Sequence, residues 1–265
     1  MMRVASLGSG SEGNALVVSV PGTTILLDCG FSLAETTRRL ARLDLHPQQL
    51  DAILVTHEHT DHISGVASLA RRYHLPVHAS HGTLSALTQR LNQSQCVALT
   101  SDRPYTLGAL RIEPFAVPHD AREPLQYVVG DGQRRLGVLT DVGCTTPHIQ
   151  DILSGCDGLI LETNHDPDLL EQGPYPATLK ARVRGRFGHL ANHQAAQLLA
   201  SLDRSRLQWV AAAHLSQRNN TPQHARQALA AVLACPAGDI PVLDQQLGLP
   251  WRTLEDLLPG LATPG

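Results

Sequence analysis

An apolar run, AILVT at 52–56, empties into His57, Glu58, His59, Thr60, Asp61 and His62, after which a helical pattern runs over 62–72. No other stretch constrains the fold as much. A strand that ends in His-x-His-x-Asp-His must deliver those side chains to an open edge, where α/β folds carry their chemistry. His57 and His59 are alternate residues of extended chain and point the same way. Asp61 and His62 fall at a helix start, where the dipole favours a carboxylate. Solvent-facing polar residues at a helix start are the plain alternative. Three imidazoles and a carboxylate within six residues point instead to metal. A catalytic zinc takes about four ligands and keeps one position open. The cluster therefore suits two ions, roughly 3.5–4 Å apart, better than one.

Such a pair needs further donors. His119 in FAVPHDA, Asp141 in GVLTDVG and His214 in VAAAHLS each follow an apolar run and precede a turn. Singly, each reads equally well as a capping residue. With the cluster they complete a set: His57, His59 and His119 on one ion, Asp61, His62 and His214 on the other, Asp141 bridging. Imidazole and carboxylate donors suit zinc, manganese or iron alike.

The start of the chain offers a competing signal. Gly8, Gly10 and Gly13 spell G-x-G-x-x-G, and Asp28 follows at the spacing of a dinucleotide-binding fingerprint. That fingerprint requires a helix after the glycines to hold the pyrophosphate. Here the glycines lead into NALVVSVPG and TTILLD, which read as two strands around a Pro21-Gly22 turn. No nucleotide cofactor is expected.

The chain has 265 residues, 42% hydrophobic, enough for one large core. Helical patterns cover 33–43, 62–72, 82–92, 175–186, 190–202 and 222–234. Strand-like runs lie at 52–56, 109–117, 125–130, 135–141, 158–163 and 207–214. Hairpins early and alternation with helices later suit a layered α/β domain, taken as a single domain over 1–265. The tail from Ile240 reads as a last strand and a short docked segment. Five scattered cysteines, never in C-x-x-C spacing, argue against a disulfide framework and a thiolate zinc site. With no apolar signal-peptide core at the start and no membrane-length run, the expected setting is the cytoplasm, without a membrane partner. The formal net charge of −3 supplies no global field for nucleic acid.

The ordered motifs LGSGSEGN, LLDCG, LVTHEHTDHISGV, VPHDA, LTDVG, LETNHD, GPYPATLKARV, FGHLANH and HLSQRNNTP span nearly the whole chain. Together they resemble the metallo-β-lactamase-fold hydrolases, and within them the YycJ/WalJ-type subgroup. The resemblance implies an αββα sandwich with a dinuclear metal site on one edge, and 5′-to-3′ exonuclease action on DNA. By the order of motifs, Glu162 and His189 take the place of a leaving-group pair in related phosphodiesterases, with a buried polar pair as the alternative. Asp61 then counts among both ligands and catalytic groups. Asp28 becomes a buttress behind the histidine loop.

Weaker candidates surround this set. Ser9, Ser11 and Asn14 of the glycine loop are candidate phosphate contacts, against a plain tight turn. Asn164 and His165 are candidate site-lining residues, against a strand-end turn. Lys180, Arg182 and Arg184, with Arg186, form the one dense basic run, read as a backbone-phosphate track or a solvated helix end. Competing functions are hydrolysis of a small ester, thioester, lactone or cyclic phosphodiester at the same site, or metal binding without catalysis. Oligomeric state is not legible.

Overall fold

The computed structural model describes residues 1–87 and 90–254. The chain divides into two compact units, and residues 1–116, 121–133 and 244–253 form the first. Its elements are β1 (Arg3–Gly8), β2 (Ala15–Val20), β3 (Thr23–Leu27), α1 (Leu33–Ala41), β4 (Ala52–Leu54), α2 (Thr60–Ile63), α3 (Val66–Tyr73), β5 (Val77–Ser80), α4 (His81–Leu87), β6 (Cys96–Leu99), β7 (Tyr105–Leu107), β8 (Leu110–Ala116) and β9 (Leu125–Gly130). The second unit holds β10 (Arg135–Leu139), α5 (Pro147–Leu153), β11 (Gly158–Glu162), α6 (Pro167–Gln172), α7 (Ala177–Val183), α8 (Asn192–Ser201), β12 (Trp209–Ala213) and α9 (Pro222–Leu233). The last strand, β13 (Leu249–Thr253), returns to the first unit.

In the first unit a seven-stranded sheet runs β13-β1-β2-β3-β4-β5-β6. Strands β1 to β3 pair antiparallel and β3 to β6 parallel. The glycine loop therefore joins two strands, β1 and β2, and opens no helix. β2 and β3 are buried throughout, as continuous apolar β-branched runs in a covered sheet should be. α1 is capped by Ser32, whose side chain accepts from Glu35 N. Its inner side buries Leu40, worth about 2 kcal/mol. It also buries Arg39, which donates to Leu7 O at 2.6 Å and Gln245 O at 2.8 Å. β7, β8 and β9 form an antiparallel meander.

In the second unit β10, β11 and β12 are parallel, with Leu139 beside Leu161 and Glu162 beside Ala213. Parallel pairing brings their carboxyl ends to one edge, so Asp141, Glu162 and His214 emerge side by side.

Several elements differ from the sequence expectation. The helix expected over 62–72 is two, α2 and α3, because Gly65 N donates out of the helix register to Cys29 O at 2.8 Å. The helix expected over 175–186 stops at Val183, where Gly188 N turns back to Gly185 O and His189 N to Val183 O. Arg184 and Arg186 thus lie beyond it, and the two helical faces expected of the basic run do not exist. α5 and α6 were not expected; each is a single short stretch opened by a proline behind Thr146 or Asp166. Part of the helix expected at 82–92, residues 88–89, and the docked segment after Leu254 lie outside the described residues.

The loops at the strand ends are stitched together by backbone. Asn14 N donates to Asp61 O, Gly30 N to Asn14 O, and Cys29 N to His62 O, at 2.8–3.0 Å. A Cβ at Gly30 would lie 1.8 Å from Asp61 O, so only glycine fits there. Gly30→Ala should therefore lower unfolding free energy by about 3 kcal/mol or more. Gly238→Ala, with nothing within 4 Å of its Cβ, should stay within about 0.5 kcal/mol. Urea denaturation decides; equal midpoints for the two variants would contradict the close-packed loop.

Candidate metal centre

In the first unit, β4 ends and His57, His59, Asp61 and His62 follow. The rings of His57 and His59 lie 4.5 Å apart, those of His57 and His62 4.2 Å. Tyr127 fixes the strand end from behind by donating its hydroxyl to Val55 O at 2.7 Å. Asp28 sits at the end of β3 with φ of 59°, a left-handed conformation that costs a non-glycine residue about 1–2 kcal/mol. Its carboxylate takes the Thr56 backbone N–H at 2.8 Å, the Thr56 hydroxyl at 2.9 Å and His62 Nδ1 at 2.8 Å. Because the Thr56 proton goes to Asp28, its oxygen accepts from His57 Nδ1 at 3.0 Å. Both imidazoles therefore carry their proton on Nδ1 and present Nε2 as the lone-pair nitrogen.

Asn14 completes this half. Its amide donates to Gly10 O at 3.0 Å, Asp61 Oδ2 at 3.3 Å and Asp61 O at 3.4 Å, and lies 3.2 Å from His62 Nε2. Its own oxygen accepts from Gly10 N at 2.9 Å. The glycine loop thus folds around Asn14, and Asn14 orients Asp61 and His62. Ser9 is buried in the same loop and Ser11 is exposed.

The second unit carries His119, Asp141, Glu162, His189 and His214. Glu162 is fully buried and accepts four hydrogen bonds. His189 Nδ1 at 2.8 Å and His214 Nδ1 at 3.2 Å reach one oxygen; Val142 N at 2.9 Å and Leu190 N at 3.2 Å reach the other. Burial opposes its ionisation, but the His189 charge and the hydrogen bonds from His189 and His214 outweigh burial and hold its carboxyl at about 2. In turn, burial disfavours the His189 imidazolium, and Glu162 outweighs that and raises its pKa. Asp141 Oδ1 lies 3.5 Å from His214 Nδ1, 3.6 Å from His189 Nδ1 and 3.8 Å from His119 Nε2. His119 Nδ1 is anchored 3.1 Å from Gly188 O. Asp141, Glu162, His189 and His214 lie close enough together to hold an ion. Asp141 and His214, like Asp28, adopt positive φ, 52° and 55°.

The donor chemistry fits divalent metal. His57, His62, His119 and His214 each have Nδ1 held by an oxygen, the arrangement that fixes tautomer and aim of metal-binding imidazoles. Asp61 is oriented through Asn14.

Four residues with positioning roles were not singled out from the sequence: Thr56, Val142, Leu190 and Asn192. Asn192 and Asn220 pair through both amide groups at 2.9 Å, and Asn220 also donates to Thr163 O at 2.7 Å. Asn164 donates to His214 O at 2.9 Å. Three asparagines thereby bind the loops after β11, before α8 and after β12. Polar residues at successive strand ends were the available signal, and nothing in their spacing distinguishes a ligand from the residue that aims it. Two arginines of the basic run pair with acids, Arg182 Nε with Asp120 at 2.6 Å and Arg184 with Glu171 at 3.3 Å, and Lys180 donates to the Glu171 backbone carbonyl.

His165 is 2% exposed, and burial pushes its pKa down to about 4, more than the Glu162 charge raises it. The unfolded chain takes up this proton near pH 6.5 and the folded chain only near 4, so acid favours unfolding between those values. Over that window wild-type stability should fall faster than that of His165→Gln, by up to about 1.4 kcal/mol per pH unit. Urea unfolding at stepped pH checks it; parallel curves for the two proteins would contradict a neutral buried His165.

Residues 23–210 match the family model described as the beta-lactamase superfamily domain. Exodeoxyribonuclease YycJ of Bacillus anthracis is 34% identical over 235 residues, 88% of this chain and 89% of that protein. Exodeoxyribonuclease WalJ of Streptococcus pneumoniae serotype 2 (strain D39) is 33% identical over 267 residues, 99% of this chain and 96% of that protein. Among solved structures, the metallo-beta-lactamase fold protein YhfI from Bacillus subtilis superposes with a TM-score of 0.74 at 16% identity, covering 96% of this chain and 100% of its own. That likeness shows the αββα fold class that the motifs implied. The chain belongs to the metallo-β-lactamase-fold hydrolase superfamily and, within it, to the YycJ/WalJ-type subgroup.

Proposed function

We propose that the protein is a dinuclear-metal-dependent phosphodiester hydrolase that degrades DNA from its ends as a 5′-to-3′ exonuclease. The names of relatives that match nearly the whole chain support the substrate. The single observation that carries the chemistry is Glu162, a fully buried carboxylate held ionised against two histidines. In this reading both units belong to one domain that works in the cytoplasm. His57, His59 and His119 hold one ion, Asp61, His62 and His214 the other, and Asp141 bridges. The donor set suits zinc, manganese or iron. Two such ions, when bound, would lower the pKa of water and neutralise phosphoryl charge.

The rest of the chemistry belongs to the chain. Glu162 stays ionised and orients His189 through Nδ1. His189 is the more accessible partner, its side chain 23% exposed, so its other nitrogen can give a proton to the departing alkoxide.

His189→Ala should cut turnover of DNA on the order of 10²–10⁴-fold with metal content unchanged. The loss should shrink for a nitrophenyl phosphodiester, whose leaving group needs no proton. Equal losses on both substrates would assign His189 to binding or structure. The substrate reading is tested with end-labelled single- and double-stranded DNA, RNA and a small phosphodiester, each with zinc, manganese or iron. Stepwise shortening of DNA from the 5′ end is expected. Turnover of small esters with no cleavage of DNA under any metal would replace the exonuclease by a small-ester hydrolase.

A further inference from the structure

Aromatic residues make up only 3% of the chain, and phenylalanine occurs three times. Phe31 and Phe115 are buried at 7% and 0% exposure, whereas Phe187 is 60% exposed. Isolated exposed apolar residues are ordinary and signify nothing alone. Phe187 differs in how its backbone is held and in what surrounds it.

The turn that carries Phe187 is fixed at several points. Gly188 N bonds Gly185 O and His189 N bonds Val183 O, both at 2.8 Å. Phe187 O accepts from Asp120 N at 3.0 Å, and the next carbonyl, Gly188 O, anchors His119 Nδ1 at 3.1 Å. On the other side the Asp141 loop is pressed against it: a Cβ at Gly143 would lie 2.3 Å from Arg186 O. All of these contacts use Phe187 as backbone only, and none requires a phenyl ring. The ring is therefore displayed on a rigid turn, two residues from His189 and hydrogen-bonded to the neighbour of His119.

Arginines flank it in the chain, two of them paired with acids, Arg182 with Asp120 and Arg184 with Glu171. Arg182 and Arg184 have side chains 61% exposed, and Arg186 is exposed and makes no ion pair among the described residues. An exposed aromatic ring next in the chain to an exposed arginine without an ion pair is a combination that suits single-stranded nucleic acid, the ring stacking a base and the cation meeting the backbone.

We propose that Phe187 is the stacking platform for the unpaired base of the nucleotide being released, with its chain neighbour Arg186 meeting the phosphate. The proposal rests on the exonuclease reading and adds to it that the terminal base must leave the duplex stack. Stacking is tolerant of sequence, so all four bases are accepted.

The test measures binding to the metal-loaded protein by fluorescence anisotropy, using an oligonucleotide whose terminal linkages are non-hydrolysable phosphorothioates. Wild type and Phe187→Ala are each compared on an intact 5′-terminal nucleotide and on an abasic one. Removing the base should weaken wild-type binding roughly five- to 150-fold. Phe187→Ala should lose the same factor on the intact end and nothing more on the abasic end, and Phe187→Trp should restore the difference. Unchanged thermal midpoints show that the variants fold. Additive losses, or none at Phe187, overturn the platform while leaving the exonuclease reading intact. If the base-dependent loss appears but hydrolysable end-labelled DNA is never cut, the platform stands and the exonuclease reading falls.

Discussion

Two buried carboxylates organise this protein. A carboxylate taken out of water must be matched by donors or it neutralises or unfolds its surroundings. Asp28 and Glu162 solve the problem alike, by collecting backbone N–H groups and histidine Nδ1 atoms. The solution has a consequence for chemistry. Every histidine that gives its Nδ1 proton to a buried oxygen turns its remaining nitrogen outward with a fixed aim. Stability of the loop and direction of the ligand are thus the same set of hydrogen bonds, which is how rigid metal sites are built.

The fold supplies those carboxylates with positions. Strands β3, β4 and β5 run parallel in the first unit and β10, β11 and β12 in the second, so polar residues at their carboxyl ends emerge on one edge of each set. Asp28, Asp141 and His214 take left-handed backbone there, which turns the chain sharply as it leaves the strand. The glycine loop serves the same edge. It closes around Asn14, and Asn14 reaches Asp61 and His62. Its likeness to a dinucleotide fingerprint is confined to the glycine spacing, since the loop joins β1 to β2 and opens no helix.

Much of this was legible before the structure. The His-x-His-x-Asp-His loop, the strands at 52–56, 125–130 and 158–163, and the polar strand ends at 141, 162 and 214 follow from hydrophobic period and residue type alone. What was not legible depends on groups without a distinctive side chain. Thr56 relays between Asp28 and His57, yet a threonine at a strand end is commonplace. Val142 and Leu190 act through backbone N–H, which no sequence pattern reveals. The basic run misled as a helix, because periodicity does not register that Gly185 and Gly188 close a turn. Nor does it register that Asp120 and Glu171, distant in sequence, pair with Arg182 and Arg184.

The proposed function requires that histidines aimed through Nδ1 by Thr56, Asp28, Gly188 and Glu162 serve one pair of ions. Anomalous diffraction from metal-loaded crystals, collected on both sides of the metal absorption edge, tests it most directly. The account predicts two peaks roughly 3.5–4 Å apart, one against His57, His59 and His119, the other against Asp61, His62 and His214, with Asp141 reaching both. A single peak at full occupancy, or two held by Glu162 and His189 in place of the His57–His62 loop, would contradict it.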